Sequence, residues 1–298
     1  MRIATSTVSD NVVRQIQRLG TQQSKLQSQV ASGQRVVNPS DDPAAVGRLI
    51  NLESERRSLM QFARNSDRAM EVSQATFSGL QQLKKISDRI TELSTLGSGT
   101  VSAEARKAYA LEADQLLEQS LQLGNTRFHN DFIFAGTAVD AQPFAVTRDA
   151  DGKITSSSFN GNSEQASIAV SESSHLKTGA SPATNQGIGE FINRMIALRD
   201  ALNNGAPGAV AAVHETLLAS EDLLVDSLAE QGSVQMRIEV GQVQQQMRAE
   251  NLERLISSEA DTDLASSIVA LNQTQVAYQA ALQSSANIMR LSLLDYLR

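Results

Sequence analysis

Cysteine and tryptophan are both absent from this 298-residue chain. The first absence excludes a disulfide scaffold and thiolate chemistry, though it leaves the redox compartment open. Aromatic residues make up only 4% of the sequence and there are 5 prolines, so helix is the default expectation in a background of Ala, Leu, Gln and Ser. No apolar run approaches the roughly 18 residues that span a bilayer. The opening "MRIATSTVSDNVV" has no apolar core of a secretory signal. A net charge of −7 without a strong basic block argues against nucleic acid or an anionic membrane as main partner. The three histidines, His129, His175 and His214, are scattered without metal-ligand spacing.

What is there is helical periodicity. Over about residues 7–32, Val12, Ile16, Leu19, Gln23, Leu26 and Val30 step by alternating fours and threes, which is heptad spacing. Gly33 suits a left-handed helix stop. In "VASGQRVVNPSDDPAAVGRL", Asn38, Ser40, Asp41 and Asp42 are cap-type residues and Pro43 suits a first helical position. Two carboxylates there also complement the helix dipole. A second helix is predicted over about 43–96. Its seam runs Leu59, Ala63, Ser66, Met70, Ser73, Phe77 and Leu80, then Leu83, Ile86, Ile90 and Leu93 after a phase shift. At 1.5 Å per residue it would be roughly 80 Å long. "GSGTVSAE" breaks it, and a third helix is predicted from Ser102 to about Phe128.

The pattern then changes. "FIFAG" reads as a buried strand, and "PFAVTRDADGKITSSSFNGNSEQASIAVSE" alternates, with turn signals at Asp151-Gly152 and Asn160-Gly161. A hairpin-rich β insertion is predicted over 137–187, with "TGASPATNQG" as its exit loop. Helix returns over about 188–203, and "NNGAPG" is a turn. The longest seam follows: Leu224, Leu228, Gln231, Gln235, Ile238, Gln242, Gln245, Ala249, Leu252 and Ile256. A joint near Ser258 leads to the last helix, whose seam is Leu264, Ile268, Leu271, Gln275, Tyr278, Leu282, Ser285 and Met289, with Leu293 beyond. The expectation is a mainly α fold: long antiparallel, coiled-coil-like helices from both chain ends around a small β-rich insertion. Three domains are expected: 1–42 with 258–298, 43–136 with 188–257, and 137–187.

A long helix in water is held by packing its apolar face rather than by propensity. The first helix, with few strong apolar seam positions, needs a partner. The last helix is the natural one. Arg2, Arg14, Arg18, Lys25 and Arg35 stand against Asp10 alone at the first end, while Glu259, Asp261, Asp263 and Asp295 outnumber Arg290 and Arg298 at the other. Seams filled with Gln, Ser and Ala pack weakly within one pair but can serve several neighbours. The ends are therefore expected to be loose in the monomer and to order on assembly.

Motifs with chemical potential are weak. "DADG" resembles the start of a Ca²⁺ loop, but Asn160 occupies the twelfth position where a Glu is needed. "SHLK" has no companion motif of a serine hydrolase, "GIG" at 187–189 reads as a linker, and "NQT" at Asn272 falls inside a helix. Asp41 and Asp42 are better explained as capping groups than as an acid/base pair. No cofactor or metal site and no enzyme constellation emerge.

Four stretches carry a family resemblance. They are "VASGQRVVNPSDDPAAVGRL", "NSDRAMEVSQATFSGLQQLKKISDRITELSTLGSG", "ALEADQLLEQSLQLGNTRFHNDFIFAGT" and "TDLASSIVALNQTQVAYQAALQSSANIMRLSLLDYLR". Together they resemble the bacterial flagellin family over nearly the whole chain. The Pro-Ser-Asp-Asp-Pro form of the break and "FIFAGT" are closer to its hook–filament junction branch than to filament subunits, which are the alternative. "LLDYLR" is longer than a typical flagellin ending. The resemblance implies an axial structural protein without enzymatic activity. Its terminal helices would form an inner tubular layer, assembling through Val12, Ile16, Leu19, Leu26, Val30, Leu264, Ile268, Leu271, Tyr278, Leu282, Met289 and Leu293. Gly33, Arg35, Asp41, Asp42 and Pro43 would form the joint. The implied partners are a ring of its own copies, the other hook-side junction protein, flagellin, and a cytosolic export chaperone holding the last helix. Export by the flagellar type III route, without a cleaved signal peptide, would place the protein in the extracellular flagellum.

Overall fold

The computed structural model describes residues 2–205 and 207–296, with side chains described over 10–205 and 208–287. Six helices and three hairpins follow in order: α1 (Arg2–Ser32), α2 (Pro43–Ser98), α3 (Ala103–Gly124), β1 (Arg127–Phe128), β2 (Asp131–Phe132), β3 (Phe144–Arg148), β4 (Ile154–Phe159), β5 (Ser167–Ala169), β6 (His175–Lys177), α4 (Pro182–Asn204), α5 (Pro207–Ala260) and α6 (Leu264–Tyr296). Contacts divide the chain into two compact units, Met1–Ser58 with Met247–Arg298, and Leu59–Gln246. These boundaries fall inside α2 and α5, whereas the expected limits at 42 and 258 lie at the helix breaks.

The Leu59–Gln246 unit contains the main core. Leu80, Leu83, Ile86, Ile90 and Leu93 of α2 are buried with Leu117 of α3 and with Ile188, Phe191, Ile192 and Met195 of α4. Leu217 and Leu224 of α5 join them. Their spacing of three and four puts each set on one helical face. Around this core the interhelical contacts turn polar. Ser73 donates to Gln231 Oε1 at 2.9 Å, and Gln231 Nε2 donates onward to the Gly179 carbonyl at 3.1 Å. Gln245 Nε2 bridges Ser66 Oγ and the Val170 carbonyl at 3.0 and 2.8 Å. The Gln-rich seam of α5 is thus a ladder of hydrogen bonds: short serines on α2 leave room for long amides on α5, and burial without such partners would be costly.

Several sequence expectations are corrected. Helix α3 stops at Gly124, before the expected Phe128, because Asn125 leaves the helix. Its side chain donates to the Phe144 carbonyl and accepts from the Phe144 N–H, both at 3.0 Å, in the manner of a neighbouring strand. The β region therefore starts earlier, with a two-residue hairpin turn at His129 and Asn130, whose φ angles are 48° and 75°. That geometry is type I′, usually signalled by Gly or Asn. "FIFAG" contributes only Phe132 to a strand, although Phe134 and Ala135 are buried. The Asp151-Gly152 turn does join β3 to β4, with Gly152 at φ 83°. Asn160-Gly161 does not close a hairpin, since β4 pairs with β3 and β5 with β6. Each sheet has two strands only.

The β region also ends earlier than expected. Ser181 caps α4 by accepting from the Thr184 N–H at 3.3 Å, with Pro182 in the first turn. Gly187 and Gly189 are therefore helical and buried rather than a linker. Glycine is required at 187 because a Cβ there would stand 2.4 Å from Leu223 Cδ2.

Candidate assembly interface

The residues singled out at the chain ends lie in the Met1–Ser58 with Met247–Arg298 unit, where α1 packs against α6. On α1, Val12, Ile16, Leu19, Leu26 and Val30 are all half-buried, as are Gly20 and Gln23. Gly20 sits opposite Tyr278, whose ring would lie 3.6 Å from a Cβ at that position. The covered face of α6 keeps Leu271, Gln275, Tyr278 and Ser285 of the expected seam and departs from it at Leu264, Ile268 and Leu282. Its buried positions are Ser267, Thr274 and Ser285, with Leu271 and Tyr278 half-buried beside them. Small hydroxyl residues at the covered positions of α6 let two helices approach closely. The displaced residues face outward: Leu264 is 47% exposed, Ile268 45% and Leu282 44%. Val269 and Val276, outside the expected seam, are exposed too. No charged residue occurs between Asp263 and Arg290. The side chains of Met289 and Leu293 lie outside the described residues.

The two helix breaks of this unit are stitched together. Gly33, at φ 73°, ends α1 with its N–H on the Gln29 carbonyl at 2.9 Å. Its own carbonyl accepts from the Thr262 N–H at 2.9 Å, and the Arg35 N–H donates to the Ala260 carbonyl at 2.6 Å. Arg35 reaches the Glu259 carbonyl at 2.9 Å and the Glu259 and Asp42 carboxylates at 3.4 Å each. Arg48 takes the same Glu259 carboxylate through two nitrogens, at 3.0 and 2.9 Å. Asp42 caps α2 by accepting from the Ala45 N–H at 3.0 Å, directly before Pro43. Asp41 accepts from the Asn38 N–H at 3.0 Å and pairs with Lys25 at 3.0 Å.

These contacts set the protonation of the joint. The Ala45 N–H, then Arg35, holds the Asp42 carboxyl below its ordinary value. The Asn38 N–H and then Lys25 do the same for Asp41, and Arg48 does so for Glu259. At neutral pH all three are ionised acceptors, with geometry suited to fastening a joint. Arg48 and Glu259 were missed as joint residues, because nothing local marks a pair 211 positions apart. Among the described residues, no group of three or more His, Cys, Asp or Glu side chains could hold a metal ion. No described helix is long and apolar enough to cross a membrane.

Residues 3–139, covering α1, α2, α3 and the first hairpin, match the family profile of the bacterial flagellin N-terminal helical region. That similarity spans a little under half of the chain. Flagellar hook-associated protein 3 of Salmonella typhimurium is 30% identical over 146 residues, which is 48% of this chain and 46% of that protein. The chain thus aligns with about half the length of that relative. A flagellar filament 30.7 kDa core protein of Treponema maltophilum is 25% identical over 272 residues, 90% of each chain. In fold, the flagellin-like chain resembles a flagellar hook-associated protein structure from Vibrio parahaemolyticus. The TM-score is 0.66 at 16% identity, over 74% of this chain and all of that one. The flagellin-like fold expected from the sequence is the observed one.

Proposed function

We propose that this flagellin-like chain is a structural adaptor of the bacterial flagellum that joins hook to filament and assembles through its terminal helices. One observation carries the reading: α6 presents an uncharged outward row, Leu264, Ile268 and Leu282, that the α1–α6 pair leaves uncovered. A row of that kind on a helix already paired along its other side calls for a further helical partner. In this reading copies pack side by side in a ring, 1–42 with 258–298 forming the inner tubular layer and the long helices a surrounding rod. The clamp of Arg35, Arg48, Asp42 and Glu259 fixes where rod helices give way to terminal helices. The hook-side junction protein and flagellin contact opposite ends of the ring. Before assembly a cytosolic chaperone covers the α6 row, and the chain leaves by the type III route. The role is mechanical, with no catalytic step.

A second reading, the filament subunit itself, is favoured by the alignment with the Treponema filament protein over 90% of both chains. Immunogold labelling of intact flagella separates the two. A single band at the hook–filament boundary is expected; label along the filament would replace the adaptor with the filament subunit.

A further inference from the structure

The Leu59–Gln246 unit holds a cavity of about 400 Å³ between α2, the β1–β2 hairpin and β5. That volume falls in the range of small-molecule sites. Val72, Phe132, Ile133 and Ile168 give it an apolar lining. Two opposite charges line it as well, Arg68 of α2 and Asp131 of β2. Among the described residues, neither side chain makes an ion pair or hydrogen bond, with the other or with a third group. Opposite charges facing one cavity without pairing form a complementary frame for a ligand that carries both signs. The hairpin wall adds an independent observation. His129 adopts a left-handed conformation that glycine or asparagine adopts at lower cost. Its ring packs on Phe128 with centroids 4.2 Å apart, and both residues line the cavity.

We propose that this cavity binds a small zwitterion with an apolar body, specifically an α-amino acid with a large apolar side chain. Arg68 takes the carboxylate, Asp131 takes the ammonium, and the side chain fills the apolar floor. A ligand of about a dozen heavy atoms on such a partly exposed site binds in the millimolar range.

The test uses the full chain and three probes measured by saturation-transfer NMR and calorimetry: L-phenylalanine, 2-phenylethylamine, which lacks the carboxylate, and 3-phenylpropanoate, which lacks the ammonium. L-phenylalanine is expected to bind about threefold or more tighter than either analogue, the gain exposed charge pairs give. Arg68→Gln should bring L-phenylalanine down to the amine, and Asp131→Asn should bring it down to the acid. His129→Gly should leave the melting temperature unchanged or raised while weakening L-phenylalanine. Equal binding of the three probes, or no saturation, overturns the proposal. The probe series on the unaltered chain decides the matter even where a variant fails to fold.

Discussion

Consider replacing Ile268 and Leu282 together by aspartate. The two side chains are 45% and 44% exposed, so each keeps roughly half of its burial for a later partner. Full burial of such a side chain contributes about 1.5–3 kcal/mol. Covering the remaining half is worth about 0.7–1.5 kcal/mol at each position. Two positions per copy then supply about 1.4–3 kcal/mol, about a 10- to 150-fold change in association at each contact. An aspartate placed at a helix–helix contact adds a desolvation cost in the same direction. In the isolated chain the same changes fall on the outward face of α6 and should shift stability only slightly, within a few tenths of a kcal/mol per site on the scale of ordinary surface substitutions.

The double variant should therefore melt within a degree or two of the parent yet fail to enter flagella, with motility lost on soft agar. Control substitutions in the β4 segment Thr155–Ser158, exposed but for a half-buried Ser157, should leave swimming intact. A swimming double variant would refute the reasoning, because the uncovered row would then have no partner. A large fall in melting temperature would refute it differently, by showing that the row supports the monomer itself. Leu271 is a poorer choice for this test, since it is half-buried.

Three further outcomes are expected. The Asp41, Asp42 and Glu259 carboxyls have folded values below their unfolded ones, so their contribution is present above the ordinary carboxylate range near pH 4 and is lost as pH falls through the lowered values. Limited proteolysis should thus open residues 33–42 and 258–263 as pH falls below the ordinary carboxylate range, before it opens the Leu59–Gln246 core; equal susceptibility of both regions would contradict the clamp. Gln231→Ala leaves the buried Ser73 hydroxyl without its acceptor, while the Gly179 carbonyl keeps Gln165 Nε2 as a donor; the change should cost about 1–3 kcal/mol, read as a drop of several degrees in melting temperature, and an unchanged melt would mean that the amide ladder adds nothing. Deleting everything after about Ala265 should leave the Leu59–Gln246 unit folded by circular dichroism and abolish motility; a swimming truncation would remove α6 from the joint.

The legible parts of this fold were those written in local spacing. The α1 seam could be read from its steps, and every one of those positions is half-buried. Gly33, Asp42 and Pro43 announced a stop and a start through conformational preference alone. The α6 seam was legible in part: Leu271, Gln275, Tyr278 and Ser285 are covered, whereas Ser267 and Thr274, small hydroxyl residues that no apolar pattern marks, are buried while Leu264, Ile268 and Leu282 are exposed. The start of α4 was written as Ser181-Pro182 but was masked by Gly187 and Gly189, whose reason lies in Leu223 on another helix. The His129-Asn130 turn lacked the usual glycine, and the Arg35 and Arg48 contacts with Glu259 join residues more than two hundred positions apart.

The distribution of buried apolar side chains makes one further outcome decisive for the proposed assembly. In the Leu59–Gln246 unit a continuous cluster joins α2, α3, α4 and α5, with Leu80, Ile90, Leu117, Phe191 and Met195 at 0% exposure. In the other unit, the described apolar residues reaching full burial are Ala45 and Leu252, neither on α1 or α6. A helix owes most of its stability to the face it buries, and local opening free energies follow buried contact. The α1–α6 pair should therefore open well below the free energy of global unfolding. Native-state hydrogen exchange on the isolated chain should show α1 amides exchanging at least about a hundredfold faster than those of α4, a gap of about 2.7 kcal/mol. On assembly the gap should close, as the outward row of α6 gains cover. Equal protection of α1 and α4 in the isolated chain would mean that the terminal pair is complete by itself, and the argument that it requires neighbouring copies would fail.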